Sequence, residues 1–336
     1  MRIRSVTIGT NLSYPLDGGQ LQAFELFQKQ ARARLADVGL EVQTIRLASQ
    51  PFPTILRDHG PAEAVALAQG LEPTCQALGI DYCSIGPVIT NAEDADLAYV
   101  DVIPQVIRAT EMVFASVLVA EQGSGIHLEG IQRAAESIID IAHSTPDGFG
   151  NLRLAVLANC EPGSPFFPVS YHHGPGTSFS IATEAADLAV DAFSGAASLQ
   201  EARDSLTRAI EERAGVIERV CRSLEEDHGF RFGGIDFTLA PFPEKARSTG
   251  SAIENLGVSA FGSSGTLFAV AFMKRAIEEA RFTRCGFSGI MLPVLEDQVL
   301  ADRSAEDAYT LDSLLLYSTV CGTGLDIVEY LASMMY

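Results

Sequence analysis

Two hydrophobic periods alternate along the chain. Met1–Gly9 alternates apolar and polar positions and predicts a strand, followed by the loop Asn11–Gly19. Leu21–Val38 has helical spacing and ends at Gly39, a residue suited to a left-handed cap. Glu41–Leu47 predicts the next strand, broken by the prolines at 51 and 53. Ala62–Leu78 predicts a helix bent at Pro73, Tyr82–Ile85 a short strand turned by Gly86-Pro87, and Ala92–Thr110 a helix broken near Pro104. Met112–Val119 reads as a strand, Ile126–His143 as a helix and Leu152–Ala158 as a strand. Strands and helices in alternation are the signature of an α/β fold with a parallel sheet.

The second half keeps this rhythm. A long loop, 159–178, precedes a predicted helix at Ser180–Phe193. Ser198 and Glu201 form a capping-box pattern ahead of a long helix with apolar positions Leu199, Ala202, Leu206, Ile210, Ile217, Val220 and Leu224. The 232–239 segment is a strand with Ile235, Phe237 and Leu239 on one face and Gly234, Asp236, Thr238 and Ala240 on the other. That second face is small and polar, as expected of a sheet or barrel whose inner side meets a ligand. A short helix to Leu256, the FGSSGT turn opening a Leu267–Ala280 helix, a 286–295 strand, an Asp312–Val320 helix and a CGTG turn complete the pattern. With no linker or low-complexity segment, the expectation is one α/β domain over 1–336, with a barrel-like central sheet surrounded by helices.

Composition narrows the partners. A formal charge of −20 and a pI near 4.6 argue against nucleic acid and anionic membrane surfaces. No run of 18 apolar residues predicts a membrane span, and MRIRSVTIGT does not read as a signal peptide. Six scattered cysteines without a CxxC pattern suit free thiols in a reducing cytoplasm. The 47% hydrophobic content and the long amphipathic helices lead us to expect a homo-oligomer.

Candidate chemistry falls in five places. His172 and His173 stand in the 159–178 loop with Tyr171 as a hydrogen-bond donor and Glu161 and Glu184 as flanking acids. They read as a cation site or acid/base pair, or as loop histidines making backbone hydrogen bonds. Asp236 reads as a ligand carboxylate or general base beside Gly234, or as a structural acid accepting backbone N–H groups or pairing with Arg231. Glu296 and Asp297 follow a strand end and suit a hard cation, or the dipole of a helix starting at Asp297. Gly262, Ser263, Ser264 and Gly265 open a helix whose N–H groups suit an anion, or simply cap it. Cys321, beside Gly322 and near Asp326, reads as a nucleophile or as a small buried thiol.

Five segments in order, FFPVSYHHG with FSIATEAAD, RFGGIDFTLAPFP, FGSSGTLFAVAF, GFSGIMLPVLED and LLLYSTVCGTGLDIV, resemble the UPF0210 (DUF711) family. The resemblance runs from RSVTIGT at 4–10 to about residue 328. It implies a fold similar to the glycyl radical enzymes of the pyruvate formate-lyase type, an α/β barrel enclosing a central site. It also implies a small ACT-domain protein as a regulatory partner. No Arg-Val-x-Gly-Tyr loop or cysteine pair is present, so no glycyl radical mechanism is expected. The combined expectation is an enzyme acting on a small polar metabolite, or a non-catalytic sensor. His172, Asp236, Glu296 and Cys321 would be catalytic, and Asp236, Glu296 and Asp297 would hold a divalent cation. Tyr171, His173, Gly234, Gly262, Ser263, Ser264, Gly265 and Gly322 would line the ligand.

Overall fold

A computed structural model describes residues 1–326. The sequence also predicts a last short strand after the CGTG turn, which runs beyond the described residues.

The first half follows the sequence pattern, except that residues 92–97 are not helical and the helix expected over Ala92–Thr110 is present only as two short ones. The elements are β1 (Arg2–Thr10), α1 (Ala23–Asp37), β2 (Val42–Ser49), α2 (Phe52–Ile55), α3 (Ala64–Ala77) and β3 (Tyr82–Ile89). They continue with α4 (Ala98–Asp101), α5 (Ile103–Ala109), β4 (Val113–Glu121), β5 (Gly125–Ile126), α6 (Leu128–Ser144) and β6 (Leu154–Ala158). Pro73 stays inside α3, and Gly39 follows α1 at φ +78°. Gly86-Pro87 does not end β3. Gly86 takes φ +75°, the register to β4 shifts between Ser84 and Pro87, and the strand continues to Ile89. The motif is a bulge. A Cβ at Gly86 would stand 2.9 Å from the Gln50 carbonyl, so only glycine fits there.

The remaining elements are β7 (Ser178–Glu184), α7 (Ala186–Phe193), α8 (Leu199–His228), β8 (Arg231–Asp236), α9 (Thr249–Asn255), α10 (Thr266–Glu279), α11 (Gln298–Ala305) and α12 (Leu311–Cys321). Two expectations are corrected here. Ser180–Phe193 is not one helix. Its first part is β7, whose seven residues are all buried, and only Ala186–Phe193 is helical. Phe179, Ile181 and Thr183 alternate with small residues at period two, which suits a strand with neighbours on both sides. The 286–295 segment is not a strand either, and makes only the isolated parallel bridges Ile235↔Arg284 and Leu239↔Ile290. Gly286 and Ser288 take φ +57° and +42°, which breaks extended backbone, and Pro293 has no N–H to pair.

Eight strands form one mixed sheet, in the order β5-β4-β3-β2-β1-β7-β8, with β6 also on β4. β2 pairs parallel with β3, β3 with β4 and β4 with β6, and β5 is antiparallel to β4. The order is open, and no pairing among the described residues joins its ends, so the expected barrel closure is not part of it.

The chain divides into two compact units. One comprises Ser5–Ile181 and Val220–Gly234 and holds most of the sheet with α1 to α6. Its core is built from Ile8, Phe27, Leu47, Ile85, Val117 and Phe179, all essentially inaccessible. The other comprises, among the described residues, Met1–Arg4, Ala182–Arg219 and 235–326, and holds α7 and α9 to α12. In it Phe237, Phe261, Val270, Met273 and Ile277 are fully buried, each Ile or Phe contributing about 1.5–3 kcal/mol of burial. α8 buries Ala202, Leu206, Ile210, Ile217 and Leu224 of the stripe expected of it, while Val220 is half-buried and Leu199, at the helix start, is exposed. Ser198 Oγ accepts the Glu201 N–H at its start, while the Glu201 carboxylate accepts from Ala197 N.

Candidate functional site: a turn wrapped on Asp236 beside Lys274

β8 ends at Asp236, which is fully buried. Its Oδ2 accepts the Phe287 N–H at 2.7 Å, and its Oδ1 accepts the Ser288 N–H at 2.7 Å and the Thr238 hydroxyl at 2.6 Å. Thr238 Oγ1 accepts the Gly289 N–H at 3.1 Å, and Ser288 Oγ accepts the Phe237 N–H at 3.2 Å. The 286–289 turn is thus wound around one carboxylate. Gly286 is needed for this, because a Cβ there would stand 2.1 Å from Asp236 Oδ2. Burial pushes the Asp236 carboxyl from 3.8 up to about 6, although the hydrogen bonds and the Lys274 charge favour the anion.

The CGTG turn meets the same segment. The Cys321 carbonyl accepts the Ile290 N–H at 2.8 Å, and the Thr323 hydroxyl donates to the Ile290 carbonyl at 2.7 Å. Cys321 is buried, and its Sγ receives the N–H groups of Thr323 and Gly324 at 3.4 and 3.3 Å. Gly322 ends α12 at φ +82°, directly under the Lys274 side chain. The end of β8, the 286–290 segment and the CGTG turn are therefore brought together.

A cavity of about 330 Å³ opens on this turn, lined by Lys274, Glu278, Arg284, Cys285, Gly286, Phe287 and Ser288. α10 sets Lys274 and Glu278 one turn apart, with Nζ 3.3 Å from the Glu278 carboxylate. Arg284 is committed elsewhere. Its Nη2 donates to the carbonyls of Ile277, Glu278 and Ala280 and so closes the end of α10. Lys274 is the group that sequence reasoning passed over. The signal was its rarity, since the chain has only three lysines, Lys29, Lys245 and Lys274, and the last sits in an apolar helix.

The remaining candidates fall into separate surroundings. His172, in the unit built on Ser5–Ile181, is buried, and its N–H donates to the Ser49 carbonyl at 2.8 Å. Nε2 lies 3.1 Å from the Gly174 carbonyl and donates to it, which leaves Nδ1 as the acceptor facing Ser178 Oγ at 3.5 Å. Burial pushes its pKa down. A Cβ at Gly9 would stand 2.8 Å from Nδ1, so the ring is packed against β1. His173 is exposed, so the two imidazoles point apart. The Tyr171 hydroxyl donates to the Cys160 carbonyl at 2.8 Å, and burial raises its pKa.

The 159–178 loop lies across small and polar positions of the sheet. The Pro165 carbonyl accepts from Ser5 and Thr7, and the Ser170 carbonyl accepts from Ser84. The loop covers these strand positions itself. Gly234 in β8 takes φ +127°, a conformation open to glycine alone.

In the other unit, Glu296 is paired with Arg4 at 2.6 Å, and Arg4 lies 3.9 Å from Glu184. Glu184 sits at the end of β7 rather than on a helix, buried and ion-paired with Arg247, whose guanidinium stacks 4.1 Å from the Phe242 ring. Asp297 is buried and caps α11 through the N–H groups of Val299 and Leu300. It also accepts from Ser248 Oγ, Thr249 N and Gly250 N at the start of α9. Burial pushes its carboxyl up.

Asp236, Glu296 and Asp297 thus serve three separate hydrogen-bond sets. Among the described residues no group of three or more His, Cys, Asp or Glu side chains is placed to hold a metal ion. The FGSSGT turn satisfies itself: Gly262 N donates to Thr266 Oγ1, Ser263 N to the Ala260 carbonyl and Thr266 N to the Ser263 carbonyl. Ser264 and Gly265 are exposed. No disulfide links any of the six cysteines. No helix among the described residues is long and apolar enough to cross a membrane.

The fold and this turn define an α/β protein with a mixed eight-stranded sheet. The chain belongs to the family described as Uncharacterised ACR (DUF711), which matches residues 1–331. It is 29% identical to a UPF0210 protein of Methanopyrus kandleri over 97% of this chain and 78% of that protein. A UPF0210 protein of Pyrobaculum islandicum is 28% identical over 97% of this chain and 76% of its own length. One of Pyrobaculum arsenaticum is 30% identical over 87% and 66%. Among solved structures, KD(P)GA from T. tenax aligns over 91% of this chain and 100% of its own, with 11% identity and a TM-score of 0.21, too low to carry an argument. The expected likeness to the glycyl radical enzymes finds no support in these comparisons.

Proposed function

We propose that this protein is an enzyme acting on a small anionic metabolite in the cavity beside the 286–289 turn. The observation that carries the reading is Lys274, held over Gly322 at the wall of a 330 Å³ cavity whose other wall is the turn fastened by buried Asp236. Lys274 would take the anionic group of the ligand. Asp236, without access to the cavity, positions the backbone of that wall. A cavity of this size, lined mainly by charged and polar side chains, suits a small polar metabolite.

A second reading is a non-catalytic sensor, favoured by the complete engagement of both Asp236 oxygens. The test is a thermal-shift panel of acetate, pyruvate, citrate and inorganic phosphate on the wild type and Lys274→Met. A ligand at about a hundredfold excess over Kd stabilises by about 2.7 kcal/mol. We expect at least one of these anions to stabilise the wild type and not Lys274→Met, and its consumption to identify the enzyme. Stabilisation retained in Lys274→Met would overturn the site, and binding without turnover would favour the sensor.

A further inference from the structure

A second cavity, about 250 Å³, lies in the unit that holds the parallel strands. It sits at the carboxyl ends of neighbours β2 and β3, reached by the segments that leave Ser49 and Ile89. This is where α/β sheets collect ligands. Pro51, Pro53 and Pro61 form its walls, and their fixed φ angles keep the walls in one shape. Its floor is Val88 and the Tyr99 ring, both buried. Tyr99 is itself anchored, with its hydroxyl donating to the Leu56 carbonyl at 3.2 Å and its ring edge-on to Phe52 at 5.5 Å.

The lip carries charges of both signs. Arg57 Nη2 meets Asp94 Oδ2 at 3.2 Å, with the two side chains 68% and 73% exposed. Asp96 also lines the cavity, with Oδ1 accepting the Ala98 N–H at 2.9 Å. An exposed pair of this kind contributes only about 0–1 kcal/mol. A ligand carrying a carboxylate and an ammonium on one carbon can therefore exchange for it at little cost, giving Arg57 and Asp94 one partner each. The apolar floor behind them then receives a short hydrocarbon group.

From this we infer a binding site for a free α-amino acid with a small apolar side chain. Its carboxylate lies on Arg57, its ammonium on Asp94 and its side chain on Val88 and Tyr99. The cavity falls just below the ~300 Å³ at which drug-sized pockets begin, in keeping with so small a ligand.

The experiment is titration calorimetry on the full chain with L-alanine, L-valine and L-leucine. Two analogues of valine, 3-methylbutanoate and isobutylamine, each keep one of its charges. We expect L-valine to bind, and each analogue to bind at least about tenfold more weakly. Arg57→Ala and Asp94→Asn, both surface changes, should each weaken L-valine by a similar factor, while Lys274→Met leaves it unchanged. No binding by any of the three amino acids at millimolar concentration would overturn the site. So would L-valine binding that is indifferent to both variants, or 3-methylbutanoate binding as tightly as L-valine.

Discussion

The Lys274 side chain crosses directly over Gly322: a Cβ built on Gly322 would stand 2.3 Å from Lys274 Cε and 3.3 Å from Nζ. Gly322 also holds φ +82°. Gly322→Ala therefore meets two obstacles, a left-handed backbone and an occupied space. The expected loss is about 1–3 kcal/mol in urea unfolding, together with loss of the anion response in thermal shift. Unchanged stability and an unchanged anion response would show that Lys274 does not depend on this contact.

Asp236 gives a pH dependence of definite sign. Its folded pKa, about 6, lies above its ordinary 3.8, so the folded chain binds this proton more tightly than the unfolded chain. Its contribution to stability is present below about pH 4, is lost as pH rises to about 6, and is flat above that. The urea midpoint of the wild type should fall relative to that of Asp236→Asn across this window. A constant difference between pH 4 and 7 would contradict the assignment.

Asp297 joins two helix starts, accepting from Thr249 and Gly250 on one side and Val299 and Leu300 on the other. Each cap contributes about 1 kcal/mol. Asp297→Ala should cost about 2 kcal/mol or more, and should raise amide exchange in α9 and α11 together. Exchange confined to α11 would show that the link to α9 carries no energy.

Glu184 is buried against Arg247 with Arg4 nearby. Removing one partner of a buried ion pair typically costs about 3–5 kcal/mol, because the remaining charge stays desolvated. Glu184→Ala should show a loss of that order in chemical denaturation, and Glu184→Gln a smaller one. A loss below about 1 kcal/mol would mean that Arg247 finds water or another acceptor.

Much of the fold could be read from local pattern. The apolar stripe of α8, with Leu206, Ile210 and Leu224 at helical spacing, is a property of adjacent residues, and the helix formed as its spacing required. Asp297 as a helix start was equally local. β7 escaped this reading because its small and polar residues are buried by strands far away in sequence. The 286–295 segment escaped because its N–H groups turn to a carboxylate some fifty positions earlier, rather than to a ladder.

The site divides in the same way. The amino-acid sequence by itself determined the alternation of strands and helices, and picked out Asp236, the 286–295 segment and the CGTG turn one by one. Only the tertiary structure decided that these three meet, that Lys274 stands over Gly322, and that Glu296 and Asp297 serve other partners. The physical reason lies in the range of the forces. Propensity, periodicity and capping act within a few residues, whereas the desolvation of a buried carboxylate is met only by donors that folding brings from distant positions.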